Sequence, residues 1–353
     1  MARRLLASSG AVAFVIVLVS LATVQVAGQA PNAPAKNTSS ARATNWTPPR
    51  TPWGHPDLQG TWDNHSITPL ERPARFAGRE FLTPAEAAEL EKEAASRNAE
   101  IDSRERAGTQ GDVGTAYNEF WWDRPTNVVE TLRTSLIVDP PDGKVPPLVS
   151  GARNRQGQVE LALRPLRATG GFEGGRGGDS WTDRSLWERC ITQGLPRISS
   201  GAYNSNIEIV QSSDHVVIHH EMIHESRIVP LNRRSHLDQN IRQYHGDSRG
   251  RWEGNTLVVD TTNFSDKTNF RGATSGLHMI ERFTRVGPNA LKYQVTFEDP
   301  TTWTRPWTAE NIWMTSRGRI YEYECHEGNH GMTGILAGAR EEEKAASKQG
   351  SSK

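Results

Sequence analysis

From Asn206 to His326 the chain keeps returning to a period of two, apolar residues alternating with polar ones, and no other pattern constrains it so tightly. NIEIVQ meets HVVIHHE across Ser212-Ser213-Asp214, and HESRIVPL continues beyond it. NTLVVDTT follows the turn residues of RWEGN, and LHMIERFTRV joins ALKYQVTFE through Gly287-Pro288-Asn289. PWTAENIWMTS joins RIYEYECHE through Arg317-Gly318-Arg319. Side chains of a strand alternate between its two faces, so such runs are half-buried strands, and tight turns between them pair neighbours antiparallel. The fold class is mainly β, an antiparallel meander closed as a barrel, with a β-sandwich as the alternative.

Upstream, TLRTSLIVD reads as a further strand that PPDGK turns toward VPPLV. Residues 150–182 interrupt the pattern, with GGFEGGRGGDS at their centre; without G-K-[ST] and a following helix they read as a surface loop rather than a phosphate cradle. One α-helix is written in LTPAEAAELEKEAASRNAE. Thr83 is its N-cap, Pro84 its first residue and Glu86 the partner in a capping box, predicting a helix over 84–104. Residues 1–28 have Arg3-Arg4, an apolar run from Ala11 to Leu21 and small residues around Gly28, the layout of a cleaved signal peptide. The expected organisation is a leader at 1–28, a disordered linker at 29–52, an N-terminal extension at 53–130, the β domain at 131–335 and a polar tail at 336–353.

Export places the protein in the periplasm or outside the cell, with no membrane span after cleavage. It also makes Cys190 and Cys325, the two cysteines of the chain, a disulfide by default. The 41 basic and 41 acidic residues balance, and loss of Arg3 and Arg4 leaves 39 against 41. That balance argues against a nucleic-acid partner, which would want a basic face.

PDLQGTW, TSLIVDPPDG, GDSRGRWEGNTLVVDTTNF and YEYECHEGN resemble a broad group of exported bacterial proteins of unassigned function. The resemblance covers nearly all of the mature chain and implies no particular chemistry. Gly60-Thr61-Trp62 followed by a meander is similar to the calycin superfamily, which includes the lipocalins. That resemblance implies a barrel that binds a small, often apolar, molecule.

Two segments spell H-E-x-x-H: HHEMIHES at 219–226 and CHEGNHGM at 325–332. A zinc peptidase needs that motif on a helix. Val216-Val217-Ile218 before the first copy and Arg227-Ile228-Val229-Pro230 after it favour a strand, on which His220 and His224 share one face and Glu221 the other. Gly328-Asn329 places the second copy at a turn after a strand. No cofactor is expected. A divalent metal held by His215, His219, His220, His224 and Glu221 is the alternative, since six of the eleven histidines fall between His215 and His245.

Polar residues inside apolar strands are the remaining signal. Glu221, Arg227, Glu281 and Glu322 are candidate lining residues of a partly polar barrel interior. A buried carboxylate beside an arginine there suits acid–base catalysis, and a structural ion pair equally. Asp247, Arg249 and Trp252, in the turn-rich GDSRGRWEGN, are candidate ligand contacts at the barrel mouth. Trp303, Arg305 and Trp307, of one parity, suit an aromatic or carbohydrate ligand by stacking. Three classes stay open: an exported small-molecule-binding or -processing barrel, a metal-dependent hydrolase or lyase, and a non-enzymatic interaction protein of the envelope.

Overall fold

A computed structural model describes residues 46–102, 123–150, 152, 180–184, 186–199, 203–232, 234–268, 270–316 and 318–350. The leader, most of the linker and the glycine-rich stretch lie outside the described residues. Among the described residues there are ten strands: β1 (Gly60–Asp63), β2 (Ile137–Asp139), β3 (Asn206–Gln211), β4 (His215–His220), β5 (Glu225–Pro230), β6 (Asp247–Glu253), β7 (Thr256–Thr262), β8 (His278–Gly287), β9 (Ala290–Glu298) and β10 (Trp307–Thr315). Two long helices among the described residues flank them, α1 (Pro84–Asp102) and α2 (Gly331–Gly350).

The hydrogen-bonded order is β5-β4-β3-β1-β10-β9-β8-β7-β6, and each of these pairings is antiparallel. Apart from β2, which adds to β10, this is chain order bent into a ring: a nearly closed barrel of nine strands, not a two-sheet sandwich. An odd number of antiparallel steps cannot close on itself. Eight of them separate β5 from β6, so these two run in the same direction, and the connection from β5 to β6 returns the chain to the end at which β5 began. No ladder joins β5 to β6 among the described residues, but the seam is tight. A Cβ on Gly250 would stand 2.7 Å from Leu231 Cδ2 and 2.9 Å from Val229 Cγ1, so the absence of a side chain there lets the strands meet.

Alternation decides what fills the barrel. Along β9, Leu291, Tyr293, Val295 and Phe297 are fully buried, while Lys292, Gln294, Thr296 and Glu298 between them are half-buried on the outer face. Ile207 and Ile209 of β3, Val216 and Ile218 of β4, Met279 and Phe283 of β8, and Trp307, Ala309 and Trp313 of β10 join them in one core. Trp62 enters this core from β1, its indole donating to the Leu58 carbonyl at 2.9 Å, so the segment expected as an extension contributes a barrel strand.

The capping box forms: Glu86 N donates to Thr83 Oγ1 at 3.2 Å and Thr83 N to Glu86 Oε2 at 2.8 Å. α1 packs through Ala87 and Leu90 against Leu82 and Val128 in a separate small cluster. Cys190 and Cys325 form the disulfide, tying chain positions 135 residues apart. No helix among the described residues is long and apolar enough to cross a membrane.

Four local expectations are corrected. HHEMIHES is not one strand. The chain turns at Met222–His224, with Ile223 and His224 at positive φ, so β4 and β5 become hairpin arms and the parity count restarts. GDSRGRWEGN is not a loop, because Asp247–Glu253 is β6 and only Gly254-Asn255 turn. RIYEYECHE is not a strand: β10 pairs with β9 along one edge and with β1 and β2 along the other, leaving no edge to join. The segment expected only as a polar tail is helical from Gly331 to Gly350.

Candidate functional site

β1, β7 and β9 end, and β3, β5, β6, β8 and β10 begin, at one end of the barrel, and its long connections gather there. Just inside that end, β5 presents Arg227 and β8 presents Glu281, each from the buried phase of its strand. Arg227 grips the carboxylate with both terminal nitrogens: Nη2 donates to Oε1 at 3.0 Å and Nη1 to Oε2. The Tyr293 hydroxyl donates to Glu281 Oε1 at 2.9 Å. Arg227, Glu281 and Tyr293 are 6 %, 2 % and 1 % exposed.

Burial opposes the guanidinium charge, but the adjoining carboxylate outweighs it and raises Arg227 above its ordinary value. Burial and the same carboxylate push the Tyr293 phenol well above its ordinary value. Both groups therefore keep their protons at neutral pH. The trio clamps β5 to β8 and β9 across the lumen, with the proton donors fixed toward one acceptor.

Nearer the rim, Glu225 faces His220 across the β4–β5 hairpin. Its carboxylate accepts from the main chain of Gln193 and from Arg197 Nη2 at 3.3 Å, and lies 3.2 Å from His245 Nε2. Thr192 Oγ1 lies 2.7 Å from the same ring nitrogen. Burial would raise Glu225, but the His245 hydrogen bond and the Arg197 charge bring it below its ordinary value. His220 is enclosed. Burial first, then the neighbouring Arg197 and Arg227 charges, hold its imidazole well below its ordinary value, hence neutral. Its Nε2 has no hydrogen-bond partner among the described residues.

A hollow of about 290 Å³ opens at the same end, lined by Leu70, Leu136, Ile198 and Phe270 with Thr68, Ser199 and Arg271. Phe270 is its aromatic wall, stacked on Phe297 at 4.8 Å and on Trp307 at 6.1 Å between ring centroids. On the outer wall, His236 bridges Asp247 (3.0 Å) to Asp260 (2.9 Å), and His278 bridges Asp260 (3.1 Å) to Glu298 (3.0 Å). Hydrogen bonding to Asp260 raises His278 despite its partial burial. Hydrogen bonding to His278 lowers Asp260.

The structure brings Arg227 and Glu281 together and leaves the other expected catalytic residues apart. Glu221 is buried in the hairpin turn, where it accepts from Asn206 Nδ2 at 2.9 Å and from the Tyr321 main chain at 3.1 Å. It fastens three segments instead of lining the lumen. Glu322, expected inside, is exposed, because no strand orients it. The metal alternative is not assembled. His220 points into the barrel, His219 and His224 stack outside it at 6.3 Å, and His215 pairs with Asp214 at 3.0 Å in the far turn. Among the described residues no three His, Cys, Asp or Glu are grouped to hold a metal ion.

Asp247 and Arg249 pair at 2.7 Å, but along a strand rather than at a loop tip, and Trp252 packs against His55 near the opposite end. Trp303 and Trp307 are fully buried behind Phe270, edge to face at 5.6 Å. Arg305 turns away to Asp139 at 2.8 Å, since residues 303–306 precede β10 and no strand parity governs them. Among residues the sequence did not single out, Tyr293 shares the phase of Leu291 and Val295 and was open to discovery by alternation. Arg197, Glu225 and Phe270 come from loops or a strand end and carry no periodic signal, and His245, noted only as the last of the histidine cluster, also lies in a loop.

No family model matches the chain, and no curated protein matches it. Among solved structures, a secretary abundant heat soluble protein from Ramazzottius varieornatus is 14 % identical, with a TM-score of 0.23 over 37 % of this chain and 87 % of that one. A point mutant of the fluorescent protein UnaG is 12 % identical, with a TM-score of 0.22 over 37 % of this chain and 86 % of that one. Likenesses of that size leave the barrel assignment resting on the strand order.

Proposed function

We propose that this is an exported small-molecule-binding protein whose ligand, mainly apolar and carrying one anionic group, seats at the loop-bearing end of the barrel. The supporting observation is the hollow of about 290 Å³, near the lower bound of small-ligand sites, with Leu70, Leu136, Ile198 and Phe270 as apolar walls and Arg271 as its cation. An aromatic face backed by stacked rings suits a ring or chain, and an exposed guanidinium suits a carboxylate or sulfonate. The leader pattern of residues 1–28 and the Cys190–Cys325 disulfide support work outside the cytoplasm.

The test is titration with 1-anilinonaphthalene-8-sulfonate, then with a series of aromatic and aliphatic carboxylates, read by probe emission and by quenching of tryptophan. Saturable binding is expected at one site. Phe270→Ala should weaken it by about 1–2 kcal/mol. Arg271→Gln should weaken the anionic probe several-fold and leave a neutral naphthalene analogue unchanged. Binding indifferent to both substitutions, in variants with native circular dichroism, refutes the placement.

A further inference from the structure

Away from the Arg227 clamp, an acid, an imidazole and a hydroxyl stand in line. Asp63, the last residue of β1, pairs with Asn206, the first of β3, which brings Ser205 beside the chain leaving β1. Asp63 Oδ1 accepts from the main-chain nitrogen of His65 at 2.9 Å and lies 3.0 Å from its ring Nδ1. The other ring nitrogen, Nε2, is hydrogen-bonded to Ser205 Oγ. One carboxylate thus orients both the backbone and the ring of the histidine, and its Nδ1–H contact leaves Nε2 to accept the serine proton.

Hydrogen bonds from neighbouring segments anchor this line. Asn64, between the acid and the histidine, donates its side chain to the Arg197 carbonyl at 3.0 Å. Its own carbonyl accepts from the buried Asn311 of β10 at 2.9 Å. The His65 side chain is 7 % exposed and Ser205 4 %. Burial would raise Asp63, but hydrogen bonds from the His65 ring and main chain, with its charge, bring the carboxyl below its ordinary value. Asp123 Oδ2, 3.7 Å from Nδ1, adds a second, exposed carboxylate on the same side. Ser205 Oγ also lies 3.4 Å from the Tyr203 carbonyl.

We propose that Ser205, His65 and Asp63 form a serine-nucleophile site acting on esters of small acyl groups. Ser205 Oγ attacks the carbonyl carbon while His65 Nε2 takes the hydroxyl proton. The ester C–O bond then breaks and the imidazolium returns that proton to the leaving alcohol. Water, deprotonated by His65, attacks the acyl-serine, and the acid departs as Ser205 regains its proton. Asp63 is the positioning residue, holding the tautomer and the ring angle. The depth of Ser205 limits the acyl group to a small one.

The test is covalent labelling of the intact, oxidised protein with diisopropyl fluorophosphate, followed by peptide mapping. Ser205 Oγ displaces fluoride at phosphorus, and the serine proton leaves through His65. A single adduct on Ser205 is expected, absent in Ser205→Ala, with faster reaction than a long-chain alkyl fluorophosphonate gives. Asp63→Asn, which keeps the hydrogen-bonding shape, should slow labelling at least about tenfold while circular dichroism stays native. Hydrolysis of p-nitrophenyl acetate should fall in parallel. Absence of a Ser205 adduct on folded protein, or equal labelling rates in wild type and Asp63→Asn, overturns the proposal. A purely structural hydrogen-bond chain would produce that outcome.

Discussion

Replacing Arg227 by Met removes one charge from a pair that is nearly sealed from solvent. At 3.0 Å the two charges attract by about 5 kcal/mol at an effective dielectric of about 20, and burying each ion costs several kcal/mol. The intact pair is therefore close to neutral for stability, whereas half of it is not. In Arg227→Met the Glu281 carboxylate stays buried with only the Tyr293 hydroxyl as its remaining partner from the trio. The expected loss is about 3–5 kcal/mol, a large share of the roughly 5–15 kcal/mol that holds a typical domain folded. The triple variant Arg227→Met, Glu281→Met, Tyr293→Phe removes every member of the trio and should recover most of that loss. Urea unfolding followed by tryptophan emission measures both, because Trp313 stacks on Tyr293 at 4.5 Å and reports the site directly. A loss below about 1 kcal/mol in Arg227→Met, with unchanged denaturant slope, would show that water reaches Glu281 and would refute the sealed clamp.

Gly250→Ala forces a Cβ against Val229, a stiff β-branched side chain, and Leu231; overpacking of about 1–3 kcal/mol should exceed the gain of about 0.5–1 kcal/mol from removing a strand glycine. A lowered melting temperature is expected, and an unchanged or raised one would mean that β5 and β6 do not meet at that point. His278→Gln tests the outer-wall ladder. Because His278 is raised in the folded state, its contribution is full below the ordinary histidine value and lost as pH rises through the folded one. Because Asp260 is lowered, its contribution is present above the ordinary aspartate value and lost as pH falls. Stability should peak between those limits in wild type, and His278→Gln should flatten the alkaline limb by less than about 1 kcal/mol, since the pair is partly exposed and salt-screened. Melting curves across pH at low and high salt read this effect.

The order of strands around most of the barrel was legible in the sequence, because each tight turn fixes which neighbours pair. The phase of Arg227 and Glu281 was legible too, being carried by alternation with Val229 on β5 and with Met279 and Phe283 on β8. Alternation holds only while the chain stays extended, which is why parity misjudged His224 beyond the turn at Ile223, Glu322 outside any strand, and Arg305 before β10.

What the sequence by itself determined is local: the capping box of α1, the turns, the faces of the strands, and the pairing of two cysteines once export is assumed. What only the tertiary structure decided is which faces meet. Ring closure with an odd number of strands makes β5 and β6 parallel, and only that ring sets Arg227 against Glu281, 54 residues away. Pairing of β1 with β3 likewise sets His65 against Ser205, 140 residues away. Local periodicity encodes the direction in which a side chain points. The partner it finds there depends on how the whole sheet curves and closes, and no short stretch of chain contains that information.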